Sequence, residues 1–247
     1  MKYYLLSFLI VFTLFFCSCS HRQKQVVSAV EILISVDSTA DSIQDSLYLE
    51  MLSQKKCELE KQLNNVIGYA PYDMTVQKPE CTMLNWACDA LYDMAVEVYD
   101  GQVDFSVVNI GGMRCNWQAG NITPRHVFEL MPFDNRLVIL TMQGKDVLDL
   151  CEVYAKQGGQ GFSRQMRMQI KNGRAHNVLF KGKHINPEAV YYIATSDYLS
   201  GGADHFTPLT KAIEKIDTGI KIRDLYMQYV QKNDTVAAII DGRMQQI

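Results

Sequence analysis

Residues 136–142 read RLVILTM, a nearly continuous apolar run between the polar pair Asp134-Asn135 and Gly144. An apolar run of this length without polar alternation is typical of a strand that is covered on both faces. Such a strand needs a layer of structure on each side of its sheet. The run therefore predicts a central buried strand around which the rest of the chain packs.

Helical and strand patterns occur on both sides of this run. Apolar spacing of 3.6 residues predicts helices over 43–64, from an N-cap at Thr82 to about 99, after Thr123-Pro124, from Gly144 to about 156 and over 219–231. Strands are predicted over 103–108, 165–170, 176–180, 190–195 and 237–241. Because strands and helices do not alternate strictly, we predict an α+β (mixed α/β) fold with layered sheets flanked by helices.

The first residues predict export. Lys2 is followed by an apolar run over 3–16, which then meets Phe16-Cys17-Ser18-Cys19. A small residue before a cysteine at the end of such a run resembles a bacterial lipobox, with Cys19 as the lipidated residue. A plain cleaved signal and a short membrane anchor are the alternatives.

Three segments follow from this reading: a lipoprotein signal peptide over 1–19, a polar tether over 20–42 and a folded domain over 43–247. The chain is expected to be an exported lipoprotein, held to a membrane of the bacterial cell envelope by its lipid anchor on the periplasmic or outer surface. With 24 Lys and Arg against 27 Asp and Glu, its net charge of −3 does not indicate nucleic-acid binding.

The sequence carries no recognisable catalytic motif. Its five histidines form no HxH, DxH, HExxH or GNH group, and neither a P-loop nor a GxSxG motif occurs. We therefore predict neither catalytic residues, nor metal ligands, nor a cofactor in this chain. Five cysteines remain after the signal, without a CxxC pair, and they are interpreted as small buried residues: Cys57, Cys81, Cys88, Cys115 and Cys151.

Binding chemistry is concentrated in residues 109–135, NIGGMRCNWQAGNITPRHVFELMPFDN. Gly111-Gly112 allows the backbone to approach a ligand. Arg114 offers a planar fork for phosphate or carboxylate, and Asn109 can donate to and accept from a base or sugar. Phe133, fixed behind Pro132, would present an aromatic ring at the entrance to the central strand.

A second stretch, residues 198–206 or YLSGGADHF, repeats this combination of an aromatic, two glycines and an acid. Together Phe133 and Tyr198 could hold a nucleobase between them, with Asn109 and Asp204 orienting it. The alternative for each ring taken singly is ordinary core or loop packing.

One long segment is strongly basic. Between Glu152 and Glu188 the chain has no acidic residue and seven Lys and Arg, next to the glycine-rich loop 158–161. It could attract an anionic ligand. The alternative is a solvated strand edge protected by its charges.

The spaced motifs resemble the C-terminal domain of secreted 5'-nucleotidases. They are Asn109-Ile110-Gly111-Gly112-Met113-Arg114, then Gly120-x-Ile122-Thr123, Met131-Pro132-Phe133-x-Asn135, and Tyr198-Leu199-x-x-Gly202-Ala203-Asp204-x-Phe206. The resemblance covers about residues 65–243. It implies that Phe133 and Tyr198 clamp the base, Asn109 contacts it, Asp204 takes the ribose hydroxyls and Arg114 holds phosphate.

Three positions depart from the family pattern. Gly202-Ala203-Asp204-His205 stands where the family has GGDG, so that His205 is expected to crowd the site. Tyr198 stands where phenylalanine is common. An arginine that family members often carry before the first helix is absent, and Lys78 is the residue expected to substitute for it.

Family enzymes also carry an N-terminal metallophosphatase domain with two metals, whose motifs this sequence lacks. The resemblance therefore implies the nucleotide-binding half of a 5'-nucleotidase-type phosphoric ester hydrolase, acting in nucleotide catabolism with a separate metallophosphatase chain. That partner, and not this chain, would hold divalent metals such as Zn or Mn. The alternatives are a stand-alone nucleotide-binding lipoprotein and an inactive interaction scaffold.

Overall fold

The computed structural model of the chain describes residues 45–247. The predicted signal peptide, the lipidated Cys19 and the tether over 20–42 lie outside the described residues. Contacts divide the chain into Met1–Glu50 and Met51–Ile247, and the sheets and cores described below all belong to the second unit.

The order of elements is mixed, as the sequence predicts. The helices are α1 (Ser46–Leu63), α2 (Thr82–Val98), α3 (Pro124–Leu130), α4 (Gly144–Lys156), α5 (Asp197–Ser200) and α6 (Ile222–Asn233). The strands are β1 (Gly68–Ala70), β2 (Phe105–Val108), β3 (Gly120–Ile122), β4 (Arg136–Gln143), β5 (Gly161–Phe162), β6 (Met166–Lys171), β7 (Arg174–Phe180), β8 (Lys183–His184), β9 (Val190–Ser196), β10 (Glu214–Lys221) and β11 (Met244–Gln246). Short 3₁₀ turns cover Ile110–Gly112, Ala203–His205 and Thr207–Lys211.

Three sheets form. The central sheet has the order β10-β4-β9-β2-β5, in which β9 and β2 are parallel and the other neighbours antiparallel. A second sheet has the order β11-β6-β7-β8, and β1 pairs with β3. The layered α+β prediction is confirmed.

The central strand β4 is buried on both faces. Leu137 and Ile139 point into a core built with α2 and α6, which includes Trp86 and Tyr226. The alternate side chains, among them Leu140, point into a second core built with α4 and the second sheet. Side chains of a strand alternate between the faces of its sheet, so β4 contributes to both cores at once.

Two boundary predictions are wrong. The N-cap of α2 is Cys81, whose Sγ accepts a hydrogen bond from the backbone N–H of Leu84 at 3.4 Å, while the Thr82 hydroxyl accepts from the Thr75 N–H at 3.1 Å. The predicted strand over 237–241 is an irregular segment, and the last strand is β11, parallel to β6. Side-chain and sheet-edge partners far away in sequence decide both positions.

The cysteines behave mostly as small buried side chains. Cys81, Cys88 and Cys151 are buried, Cys115 is half-buried and Cys57 is exposed; none of these five is disulfide-bonded. Burial raises the pKa of the Cys88 and Cys151 thiols, which keeps them protonated. Over residues 45–247, the search for a helix with the length and apolarity of a membrane span returns nothing.

A buried arginine closes the end of the chain onto α2. Arg243 is 4% exposed, and its guanidinium donates to Asp89 at 2.9 and 3.1 Å and to Asp241 at 3.0 Å. Burial by itself would lower the pKa of Arg243, but the hydrogen bonds to these two carboxylates raise it instead. The pairing therefore holds the charge in place beside the first core.

The turn over 202–205 is backbone-strained. Gly202 has φ +84°, and two residues with side chains follow it in the left-handed region, Asp204 at +54° and His205 at +66°. Asp tolerates this conformation, whereas a β-carbon at the His205 position is unfavourable. Glycine, which the family pattern carries at this position, would relieve the strain.

Replacing Arg243 is expected to destabilise the fold. Arg243→Met leaves two carboxylates without their buried cation and should lower the free energy of unfolding by about 3 kcal/mol, measured by urea denaturation. The matched control is Arg174→Met, since Arg174 pairs with Glu152 at 3.3 Å on an exposed face. The control should lose less than about 1 kcal/mol; equal losses would contradict a structural role for Arg243.

His205→Gly is expected to stabilise the protein. Leaving the left-handed region relieves about 1–2 kcal/mol, and the extra freedom of glycine in the unfolded chain offsets about 0.5–1 kcal/mol of this. Urea unfolding should show a net gain. The control is Ala203→Gly in the same turn, where φ is not positive and stability should fall. A loss in His205→Gly as large as in the control would show that the turn is unstrained.

Candidate functional site

Three strands bring the sequence motifs to one edge of the central sheet. In the parallel pair β2 and β9, Ser106 lies beside Ala194, so Val108 at the end of β2 is level with Ser196 at the end of β9. Ser196 is in turn paired with Leu137 at the start of antiparallel β4. The residues just beyond these positions, which belong to three different motifs, therefore meet at the same edge.

A pocket of about 230 Å³ opens at this edge. Its lining residues are Asn109, Gly111, Gly112, Arg114, Phe133, Asn135, Tyr198 and Asp204. All five side chains predicted to bind substrate are among them, although they span nearly a hundred positions in sequence. Asn135 also lines the pocket; it stands within the quoted motif but was not predicted as a site residue.

The two aromatic rings are exposed on the pocket walls. Phe133 is 39% and Tyr198 48% exposed, so neither ring is used up in the core. The backbone carbonyl of Phe133 accepts a hydrogen bond from Arg223 at 3.3 Å, and Arg223 also binds Asp134. Tyr198 lies on α5, which Ser196 caps through the Leu199 N–H. Each ring is thus fixed through its backbone while its face stays open.

Asp204 links the two sides of the pocket. Its Oδ2 accepts a hydrogen bond from Asn109 Nδ2, and its Oδ1 accepts one from the Tyr198 hydroxyl at 3.0 Å. The second bond raises the pKa of Tyr198, because ionisation would place two negative charges together. The Tyr198 hydroxyl therefore stays protonated and remains a donor to Asp204.

The glycines hold the Asn109 side chain close to the backbone. A β-carbon added at Gly112 would lie 2.7 Å from Asn109 Oδ1, closer than side chains approach one another. At Gly111 an added β-carbon would lie 3.4 Å from Asp204 Oδ2. The Gly-Gly pair is explained by this packing of Asn109 and Asp204 against the loop.

Arg114 is the cation of the pocket wall. Its guanidinium lies 5.9 Å from the centre of the Phe133 ring and donates to the Gly111 carbonyl at 3.3 Å. No carboxylate is paired with Arg114 among the ion pairs of residues 45–247. A guanidinium in this position has donors available for an anion.

Two glutamines that the sequence analysis missed brace the site from below. Gln160 Oε1 accepts from the Ile110 N–H at 2.7 Å, and Gln157 Nε2 donates to the Asp204 carbonyl at 2.9 Å. The two side chains are also hydrogen-bonded to each other. Gln160 is 7% exposed, so the glycine-rich loop is packed under the pocket. The only sequence signal for it is a pair of polar residues around Gly158-Gly159.

The basic segment after Glu152 does not reach the pocket. Arg164 pairs with Asp93, Arg167 with Asp241 and Arg174 with Glu152, and the segment forms the second sheet. The interpretation as a charged strand edge is therefore favoured over ligand attraction. Its cations serve to neutralise acids that come from other elements.

Two further residues lie away from the pocket wall. Lys78, expected to replace a family arginine, donates from Nζ to the Gln157 carbonyl and is not a lining residue. His205 is exposed and also absent from the lining, so the expectation that it crowds the site is wrong. The positive φ of His205 turns it away from Asp204.

The described residues contain no group of three or more His, Cys, Asp or Glu side chains placed to hold a metal ion. The donor set at the pocket is one carboxylate with amide, hydroxyl and guanidinium groups. This arrangement suits hydrogen bonding and stacking with a flat polar ligand. It does not match the coordination shell of a two-metal hydrolase.

Comparison with known sequences gives consistent relatives. A 5'-nucleotidase of Vibrio vulnificus is 30% identical over 139 residues, 55% of this chain and 25% of that protein. A 5'-nucleotidase of Vibrio cholerae is 27% identical over 209 residues, 81% of this chain and 37% of that protein. This chain thus spans well under half the length of these two relatives.

Comparison with solved structures supports the fold. The crystal structure of a 5'-nucleotidase precursor from Thermus thermophilus superposes with a TM-score of 0.72 at 23% identity, covering 84% of this chain and 45% of that one. The family model described as 5'-nucleotidase, C-terminal domain, matches residues 64–211, more than half of the chain. The chain therefore belongs to the 5'-nucleotidase C-terminal domain family.

Proposed function

We propose that this chain is the nucleoside- and nucleotide-binding half of a 5'-nucleotidase-type phosphoric ester hydrolase. The single observation that supports this most is the pocket, which places two open rings, a carboxylate and a free guanidinium around about 230 Å³. Stacking groups together with a few fixed polar groups are the usual means of holding a nucleobase and its sugar.

Each lining residue has a role in this proposal. Phe133 and Tyr198 stack on the base, and Asn109 donates to or accepts from it. Asp204 accepts from the sugar hydroxyls. Arg114, which has no carboxylate partner among the described residues, binds the phosphate by charge-assisted hydrogen bonds.

Hydrolysis is assigned to a separate metallophosphatase chain. The relatives are much longer than this chain, and the described residues provide no metal-ligand cluster. A two-metal partner would supply the attacking water and stabilise the leaving oxygen. In this arrangement the present chain contributes substrate affinity and orientation, which raise the rate by placing the phosphoryl group at the partner's metals.

Location follows from the first residues. We propose that Cys19 carries the lipid and that the folded domain works at a membrane of the cell envelope, reached through the 20–42 tether. Anchoring would confine the pocket to the compartment in which an exported partner acts. Mass analysis of the mature N-terminus tests this, and an unmodified residue after a cleaved signal would exclude the anchor.

Phe133→Ala is expected to weaken nucleotide binding. The loss of one stacking surface should raise the Kd for AMP about 5- to 150-fold, measured by calorimetry on the full chain. The control is Phe128→Ala, since Phe128 is also 39% exposed but lies on α3 outside the pocket lining. It should bind as the unaltered chain does. Binding without heat in the unaltered chain, or equal losses in both variants, would exclude this site.

Mixing experiments test the split enzyme. The full chain is combined with a metallophosphatase chain bearing Asp-x-His and Gly-Asn-His motifs, a divalent metal and AMP. Phosphate release should exceed that of the partner alone by about tenfold or more, and Phe133→Ala should remove most of the gain. If nucleotide binds but release is unchanged, the chain is a stand-alone binding lipoprotein. If neither occurs, an interaction scaffold remains.

A further inference from the structure

Asp204 is already engaged by the protein on both of its oxygens. Asn109 Nδ2 donates to Oδ2, and the Tyr198 hydroxyl donates to Oδ1 at 3.0 Å. A carboxylate has about four acceptor positions. Two of these are therefore taken before any ligand enters, and the two that remain are flanked by the protein's own donors.

The two donors differ in how firmly they are held. Asn109 is 7% exposed and packs so closely on Gly112 that an added β-carbon would collide with its Oδ1. Its bond to Asp204 is part of the loop structure. Tyr198 is 48% exposed, and its hydroxyl stands at the edge of a ring whose face alone is needed for stacking. The hydroxyl of Tyr198 is therefore the group that competes with a ligand for Asp204.

This competition determines how much a sugar hydroxyl contributes. A ribose presents two neighbouring hydroxyls, and a free carboxylate could accept one on each oxygen. When Oδ1 already accepts from Tyr198, the ligand hydroxyl that reaches it must share the oxygen with Tyr198 or displace it. The net gain from the second hydroxyl is then small, because one hydrogen bond to the carboxylate replaces another.

We infer that the Tyr198 hydroxyl is a specificity-determining group that makes the pocket accept deoxyribonucleotides as well as ribonucleotides. This inference rests on the proposed function and concerns its substrate class. It assigns to the tyrosine, where phenylalanine is common in the family pattern, a chemical effect separate from stacking.

Tyr198→Phe tests the inference, because it removes one oxygen atom and keeps the ring. Calorimetry on the full chain compares AMP with 2'-deoxy-AMP in both proteins. The unaltered chain should bind the two within about threefold of each other. In Tyr198→Phe, AMP should gain affinity while 2'-deoxy-AMP changes little, so that the ratio of the two Kd values reaches about tenfold.

A second variant shows whether the effect passes through the carboxylate. Adding Asp204→Ala to Tyr198→Phe should return the ratio to near one. A merely structural role for Tyr198 would weaken both nucleotides alike and leave their ratio unmoved.

The outcomes separate the two proposals. If both proteins bind nucleotide with the same ratio, or if the unaltered chain already prefers AMP tenfold, this inference is overturned and the proposed function stands. If no nucleotide binds to either protein, the proposed function fails and the inference fails with it.

Discussion

Strand β4 supports two hydrophobic cores at the same time, and the pocket depends on this. Leu137 and Ile139 pack with α2 and α6, while Leu140 and its alternates pack with α4 and the second sheet. A slip of one residue would exchange the two sets of side chains and bury each against the wrong partners. The register of β4 against β9 is therefore firmly set, and with it the place where Phe133 enters the edge of the sheet.

The pocket is built from loop residues that are held by polar contacts. Asp204 joins Asn109 to Tyr198, while Gln157 and Gln160 hold the backbone beneath them. None of these contacts contributes apolar burial, so the sheet provides the position and the hydrogen bonds provide the orientation. Open rings and a guanidinium without a carboxylate partner can remain there because the two cores already stabilise the chain.

Local sequence signals identified most of the fold and misjudged the contacts at its margins. The apolar run of β4, the helix spacing of α2 and α4 and the proline at the start of α3 are properties of neighbouring residues, and the structure confirms those elements. The N-cap of α2 and the last strand were misplaced, because Thr82 and residues 237–241 find partners distant in sequence. The basic segment was read as one charge field, although acids from other elements neutralise its arginines.

By itself, the sequence determined which side chains are available for a ligand and which strand must be central. Residue type sets stacking and hydrogen-bonding capacity, and an apolar run sets burial, so both can be recognised without coordinates. Only the tertiary structure decided that five residues from separate motifs share one pocket, that Lys78 and His205 lie outside its wall, and that Tyr198 donates to Asp204. These are distances between segments far apart in the chain, and strand register and turn geometry determine them after the cores have formed.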